Sequence, residues 1–324
     1  MKNFKTILGN LLITALIFTS CSSNDDGDII ITAPTAQEFA DLKQNALDSR
    51  TQEFSFNAED GSTTFTSEKG VQITIQASCL TLNGNGVTGQ VNIKYIELFD
   101  RGNMITTNKT TMGMMQNGDK ALLISGGEFF VEATQNGQIL QTTCTVQLII
   151  PSNLTGGTDN TMTLWKGRID ANDNLTWDEK EEGTGNEGIV FAEGESYYAF
   201  LNDFGWSNVD RFYNDPRPKT TILVGVPVDY DNTNSAVYLS YDGEDAGLAN
   251  LDTFDNTTKL FSEHYGQVPI GLECHIIFIS EDNGNYRYAI KAVTIAANDI
   301  YTFTFTETSV VTEAQITAII NGLP

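Results

Sequence analysis

Hydrophobic and polar residues alternate along most of the chain, in short stretches that are separated by turns. Val71–Ile75 and Val91–Tyr95 each place every second residue on one apolar face, which is the spacing of a half-buried β-strand. Clusters of Gly and Asn such as Asn83–Gly86 are typical of the turns between strands. Many short strands bounded by turns favour a β-sandwich, so the pattern predicts an all-β protein.

Helical spacing occurs near the two ends of the chain. Apolar side chains recur at helical spacing in residues 36–50, and Thr35 with Glu38 has the sequence of a capping box, so residues 35–51 are predicted to hold a helix. Thr312 can cap a last helix whose isoleucines lie on one side.

The elements between these helices predict two β-sandwich domains in tandem. We assign residues 52–204 to the first sandwich and residues 220–324 to the second, which includes the C-terminal helix. Residues 205–219 are predicted to form the junction, which Pro216 and Pro218 stiffen. The junction carries Trp206, Phe212 and Tyr213. These aromatic residues either form a ligand platform or pack one domain against the other, and the second interpretation is favoured.

The N-terminus has the pattern of an export signal. Lys2 and Lys5 precede the mostly apolar residues 7–18, a run that is shorter than the roughly 20 residues of a membrane-spanning helix. A basic start and a short apolar run are typical of a secretory signal peptide, which we assign to residues 1–20. Residues 21–34 are then predicted to be an acidic tether.

The residues around Cys21 resemble the site that the lipoprotein signal peptidase cuts. Small Thr19 and Ser20 precede the cysteine, although Phe18 stands where Leu is commonest. The resemblance implies that Cys21 carries a lipid, and two or three acyl chains would anchor the protein stably. Residues 24–28 resemble the acidic export tags of Bacteroidetes-type surface lipoproteins, which implies an outer-membrane protein that faces outward. The alternative for the first feature is a plain secretory signal with an incidental Cys21. The alternative for residues 24–28 is a solvated spacer.

The first predicted sandwich also resembles a known module. The stretches that carry the resemblance are residues 70–77, 89–95, 126–133 and 136–137. They are similar to strands of a sandwich found in ankyrins, netrin receptors and many bacterial surface lipoproteins. The resemblance covers residues 52–200, with Gln76 where the pattern usually has Pro. It implies a module that mediates protein contacts and has no catalytic residues.

Charge limits the partners of the exported chain. Residues 1–20 contain two of the 18 basic residues and none of the 42 acidic ones, so the mature chain has 16 basic and 42 acidic residues. Nucleic acid is excluded as a partner, because phosphate binding requires clustered Lys and Arg. Contact with a membrane is expected through the lipid anchor.

One stretch has the spacing of a calcium loop. Its candidate ligands, at loop positions 1, 3, 5, 9 and 12, are Asp170, Asn172, Asn174, Asp178 and Glu181. Leu175 takes the place of the Gly that makes the sharp turn, and the flanking residues have the pattern of strands. The favoured interpretation is therefore a hairpin tip rich in Asp and Asn. A second Asp/Asn-rich stretch, residues 229–234, matches the ligand spacing of a calcium loop less well.

No other chemistry is indicated by the sequence. The two histidines, His264 and His275, do not complete a zinc ligand set, and there is no GxSxG motif. We therefore expect a non-enzymatic surface protein for adhesion or protein interaction, without a cofactor other than calcium. The alternative is a glycan-binding accessory lipoprotein of a nutrient-uptake system, which exposed Trp165, Trp177 or Trp206 would favour.

Cys79 and Cys144 fall on the same alternate positions as the apolar residues of their predicted strands, so both are expected to point inward. An exported chain could pair them, but two inert buried thiols are the expectation from parity.

We predict that Cys21 carries the lipid and is the first residue of the mature protein. The intact mass of membrane-extracted protein should include the acyl adduct, and Cys21→Ala should leave the protein unprocessed or release it from the membrane. Unchanged membrane partitioning of the variant would contradict the prediction.

Overall fold

The computed structural model describes residues 32–171, 173–180 and 189–324. Residues 33–324 form one compact unit. The predicted signal peptide and Cys21 lie outside the described residues. Within the described ranges, no helix has both the length and the apolar character needed to cross a membrane.

The described chain contains three α-helices, α1 (Ala36–Asp48), α2 (Arg101–Thr107) and α3 (Glu313–Asn321). The strands of the first half are β1 (Gln52–Asn57), β2 (Ser62–Thr66), β3 (Gln72–Gln76), β4 (Leu80–Leu82), β5 (Asn85–Gly86), β6 (Gln90–Leu98), β7 (Met112–Met114), β8 (Lys120–Gln135), β9 (Gln138–Ile139), β10 (Gln141–Thr142), β11 (Val146–Pro151), β12 (Thr163–Ile169), β13 (Leu175–Glu179), β14 (Val190–Glu193), β15 (Ser196–Leu201) and β16 (Gly205–Phe212). Those of the second half are β17 (Lys219–Gly225), β18 (Ser235–Tyr241), β19 (Ala249–Asn250), β20 (Thr253–Asp255), β21 (Leu260–Pro269), β22 (Glu273–Asp282), β23 (Asn285–Thr294), β24 (Ile300–Thr302) and β25 (Ser309–Val311).

The protein belongs to the all-β class with a C-terminal helix, as the alternation predicted. Both predicted helices are present with their caps. Thr35 accepts a hydrogen bond from the backbone of Glu38, whose side chain bonds back to Thr35, and Thr312 forms the same box with Gln315.

Two facing sheets form the first sandwich. The large sheet has the strand order β1-β6-β8-β16-β12-β13-β7, and the facing sheet has the order β14-β15-β11-β3-β2. Ile93 and Val131 of the large sheet pack with Ile73 and Leu148 of the facing sheet in one apolar cluster. Because side chains alternate along each strand, the opposite face of each sheet points away from this core.

A disulfide joins Cys79 and Cys144, so the expectation of two inert buried thiols is wrong. Their Cα atoms are 5.7 Å apart. The short strands β4 and β10 pair antiparallel beside them, with Leu80 opposite Thr142, and this pairing brings the two cysteines together. Strand parity indicates which face a cysteine lies on, but it does not indicate which strands are neighbours.

The second sandwich consists of a four-stranded sheet, β20-β21-β17-β24, and a five-stranded sheet, β19-β18-β22-β23-β25. Val224 and Phe278 lie in the apolar cluster between the two sheets. All three helices cover the other face of the five-stranded sheet. There Phe39, Met104 and Ile316, one from each helix, are in a cluster with sheet residues such as Tyr238 and Ile277.

The predicted junction, residues 205–219, is not a linker over its whole length. Residues 205–212 form β16, an inner strand that pairs with β8 on one side and β12 on the other. The first sandwich therefore extends to Phe212. Leu122 and Ile124 of β8 also share an apolar cluster with Ile222 of the second sandwich, so one core crosses the predicted boundary.

Helix α2 has no counterpart in the sequence-based expectations. Its N-terminal residue, Arg101, is only 1% exposed, and its guanidinium donates to the backbone oxygens of Leu323 and Pro324 at 2.9 and 3.1 Å. The backbone N–H of Gly102 donates to Asn321 Oδ1 at 2.7 Å. Tertiary contacts with the end of the chain therefore hold this seven-residue helix in place.

Part of the large sheet closes on itself. The short strand β7 pairs antiparallel with β8 and parallel with β13, where Gly113 lies opposite Trp177. The closed path β7-β8-β16-β12-β13 is called the five-strand ring below. Trp165, Trp177 and Trp206 pack together with Leu175 in one apolar cluster on these strands.

Glycine at position 167 is required by the close packing of this cluster. A Cβ atom there would lie 2.5 Å from Trp206 Cβ and 2.9 Å from atoms of Leu175 and Trp177. Each of these distances is shorter than carbon atoms tolerate, so a larger residue would force the tryptophans apart.

Gly167→Ala is expected to lower the free energy of unfolding by about 1–3 kcal/mol, the usual range for overpacking. The measurement is the urea midpoint at unchanged m-value. Gly86→Ala is the matched control, because a Cβ at Gly86 meets nothing within 4 Å. Equal midpoints for the two variants would contradict the expectation.

Candidate functional site

A cleft of about 840 Å³ lies at one end of the five-strand ring. Here β7 ends at Met114, β13 at Glu179 and β16 at Phe212, while β12 begins at Thr163. These four residues line the cleft together with the turn that begins at Met115, and we call this site the mouth cleft. The mouths of β-barrels are a preferred location of ligand sites.

The mouth cleft combines an apolar part with a polar rim. Met114, Met115 and Phe212 provide the apolar part, and Phe212 is fixed by an edge-to-face contact with Trp165 at 5.1 Å between ring centroids. On the rim, Thr163 donates to Glu179 at 2.9 Å. Asp178, which also lines the cleft, accepts from Arg168 Nε at 3.1 Å. Both carboxylates therefore already accept a hydrogen bond from within the protein. An apolar centre with such a polar rim suits the binding of a partner.

The three aromatic residues of the predicted junction have different environments. Trp206 is 8% exposed and packs against Phe130 at 5.4 Å. Tyr213 contacts Tyr241 of the second sandwich edge-to-face at 5.2 Å, which matches the packing interpretation. Of the three, Phe212 lines the mouth cleft.

The tryptophans that would have favoured glycan binding are all buried. Trp165 is 1% exposed and Trp177 is 0% exposed, and both indole N–H groups donate to backbone oxygens, those of Asp210 and Thr110. With Trp206 also buried, none of the three offers a face on which a sugar could stack.

The candidate calcium ligands lie along a β-hairpin. Asp170 Oδ1 accepts from the backbone N–H of Asn174 at 3.0 Å, which closes the turn between β12 and β13. Asp178 lies further along β13, opposite Lys166. Asn172 and Glu181 lie outside the described residues, so the calcium site stays a prediction. Among the described residues, no three His, Cys, Asp or Glu side chains are grouped to hold a metal ion.

A second cleft, of about 490 Å³, lies beside this hairpin. It brings the two Asp/Asn-rich stretches of the sequence together, since Asp173 of the hairpin and Asn232 of the other stretch both line it. Helix α1 forms another wall. Lys43 Nζ and Lys109 Nζ lie 3.2 and 3.5 Å from the two carboxylate oxygens of Asp173, so both lysines of the cleft share this one carboxylate.

Two carboxyl groups are fully buried in the first sandwich, and no sequence signal marked them. Burial raises the pKa of Glu128 well above its ordinary value, the nearby Asp210 raises it further, and Lys109 opposes the shift. Burial also raises the pKa of Asp210, against hydrogen bonds that favour its charged form. Asn208 Nδ2 donates to Asp210 Oδ2 at 2.5 Å. Both acids are therefore expected to hold their protons at neutral pH.

A third buried acid, Glu263, lies on β21 of the second sandwich. Glu263 accepts hydrogen bonds from the backbone N–H groups of Gly266 and Gln267 at 3.1 and 3.2 Å. Burial nevertheless raises its pKa to about 7, and the nearby carboxylates of Asp252 and Asp119 add to the shift. Asp119 belongs to the segment between β7 and β8 that forms a wall of the mouth cleft.

Comparison with known proteins gives no family for this chain. No protein-family model matches it, and no curated protein matches it either. The resemblances to surface lipoproteins and to the ankyrin and netrin-receptor module therefore stay predictions.

Glu263→Gln is expected to change the pH dependence of stability. Because the folded pKa of about 7 lies above the ordinary 4.5, the folded state binds more protons than the unfolded state between these values. The contribution of Glu263 to stability is therefore full below pH 4.5 and is lost as the pH rises to 7. The variant should gain roughly 3 kcal/mol over wild type across this window.

Urea unfolding at pH 4.5, 6, 7 and 8 measures this difference. The exposed Glu273, replaced by Gln, is the control and should follow wild type at every pH. A constant difference between Glu263→Gln and wild type over the whole range would contradict the assignment.

Proposed function

We propose that this chain is a non-enzymatic, lipid-anchored surface protein that acts in adhesion or protein interaction. In this proposal Cys21 anchors the mature chain in the outer membrane, and the β-sandwiches face outward. The single observation that carries the interaction is the mouth cleft.

The mouth cleft has the features of a surface that binds polypeptides. Methionine side chains are flexible and polarizable, so Met114 and Met115 can adapt to an apolar partner side chain. Phe212 is held against Trp165 and provides a rigid apolar surface beside the two flexible methionines. Hydrogen-bonding groups of Thr163 and Glu179 lie on the rim, as in interfaces that surround an apolar centre with polar groups.

The disulfide between Cys79 and Cys144 supports export. Disulfides form and persist in oxidising compartments and are rare in the reducing cytosol. The surplus of acidic residues supports the same location, because it keeps an exported protein soluble.

Selection from a random peptide library on the immobilised full-length protein tests the interaction. Enriched peptides should compete with one another for a single site, and Met115→Glu or Phe212→Ala should weaken their binding at least tenfold. The reason is that each substitution removes apolar contact area at the centre of the cleft.

Val228→Glu is the control, because Val228 is 85% exposed and lies outside the mouth cleft. It should leave peptide binding unchanged. Failure to enrich any peptide, or equal binding by the cleft variants and the control, would refute the proposed interaction. Lipid anchoring is tested separately by Cys21→Ala.

A further inference from the structure

The outer face of the sheet β14-β15-β11-β3-β2 has an ordered arrangement of side chains. Ile73, Leu148 and Tyr197 of this sheet point into the core of the first sandwich and are fully buried. Their neighbours in sequence therefore point outward. The strand register places these outward residues in two rows across the sheet, Phe191–Tyr198–Ile149–Gln72–Thr66 and Phe200–Gln147–Thr74–Thr64. We call these nine residues the neutral face.

One side of the neutral face is aromatic. The rings of Phe191 and Tyr198 are nearly parallel, at 3° between planes and 5.1 Å between centroids. Phe200 stacks beside Phe191 at 6.1 Å. Phe191 is 45% exposed, which is unusual for a side chain of this size in the described part of the chain. These rings form an aromatic surface that the sandwich core does not use.

The other side of the neutral face carries amides and hydroxyls. Gln147 and Gln72 supply amide groups, and Thr74 and Thr64 hydrogen-bond each other at 2.9 Å. None of the nine side chains is charged, although the chain has a net charge of −24. On the same face of β14, Glu193 lies two residues beyond Phe191, so the uncharged surface ends at this edge of the sheet.

We propose that the neutral face binds a neutral polysaccharide. The C–H bonds of sugar rings pack on the electron-rich faces of aromatic rings, and sugar hydroxyls both donate and accept hydrogen bonds, as Gln and Thr side chains do. Adjacent strands lie about 4.8 Å apart, so the five strands present these groups over roughly 19 Å. An elongated glycan that crosses the strands can reach the aromatic part and the amide part together.

Charge selects the kind of glycan. An anionic polysaccharide would find no cation on the neutral face and would be repelled by the negative charge of the whole protein. A cationic ligand would find a carboxylate at the edge of the surface, at Glu193, but none among the nine side chains. A neutral sugar is not repelled by the negative charge of the protein and needs no charged partner on the neutral face. This inference goes beyond the proposed protein interaction, because the neutral face and the mouth cleft share no residue.

Affinity electrophoresis of the detergent-extracted full-length protein tests the proposal. The gels contain hydroxyethylcellulose, pullulan or galactomannan as neutral polysaccharides, or polygalacturonate as the anionic one. At least one neutral polysaccharide should retard the protein, and polygalacturonate should not. Phe191→Ala with Tyr198→Ala should weaken the retardation at least tenfold, because it removes the parallel ring pair.

Ile139→Ala is the control, since Ile139 is an exposed apolar residue at 64% but lies on β9, outside the neutral face. Phe212→Ala should also leave retardation unchanged, which separates this outcome from that of the mouth cleft. If the double aromatic variant does not fold, Gln147→Ala with Gln72→Ala replaces it and should weaken retardation as well.

Three results would overturn the proposal. They are the absence of retardation by all three neutral polysaccharides, equal retardation of the neutral-face variants and the Ile139→Ala control, and stronger retardation by polygalacturonate than by the neutral polysaccharides.

Discussion

The pairing of one long strand, β8, connects nearly every part of the first sandwich. Its sixteen residues pair with β6 and β16 on its two edges and with β7 near its start. Val131 of β8 lies in the core of the first sandwich, Leu123 in the tryptophan cluster, and Leu122 in the core that includes the second sandwich. Backbone hydrogen bonds along a single strand thus fix three apolar clusters relative to one another, and they also set the geometry of the mouth cleft.

The two candidate binding surfaces follow from two different uses of a sheet. The mouth cleft exists because the large sheet closes on itself, so that several strand ends meet at one place. The neutral face exists because the facing sheet remains open, so that the side chains pointing away from the core stay exposed or half-buried. One surface is concave and adaptable, whereas the other is extended and regular. Since the two surfaces share no residue, partners of two classes would not compete for the same side chains.

Local patterns in the sequence predicted the elements whose causes are local. The caps at Thr35 and Thr312 and the alternation of the strands depend on neighbouring residues only, and the structure contains them. Helix α2 was missed because it is short and, beyond its local cap at Asp100, Arg101 and Gly102 depend on contacts with distant residues. The disulfide and the closure of the five-strand ring likewise depend on which strands become neighbours, and alternation carries no information about that.

The candidate sites also differ in whether local sequence or the pairing of distant strands creates them. Phe212 was identified because aromatic residues cluster in its segment, but the same composition suits a buried strand, which is where Trp206 lies. The neutral face was not identified, because its residues come from five strands that are scattered along the sequence. Only the register of the sheet brings Phe191, Tyr198 and Gln72 into one row.

The burial of Arg101 has a consequence for the order in which contacts form. Its guanidinium donates to Ser240 Oγ at 2.6 Å, pairs with Asp245 Oδ1 at 3.1 Å and donates to the backbone oxygens of Leu323 and Pro324. The nearest of these partners in sequence is 139 residues away. A buried charge without its partners is strongly destabilising, so helix α2 cannot take its place beside the second sandwich before those distant residues are in position.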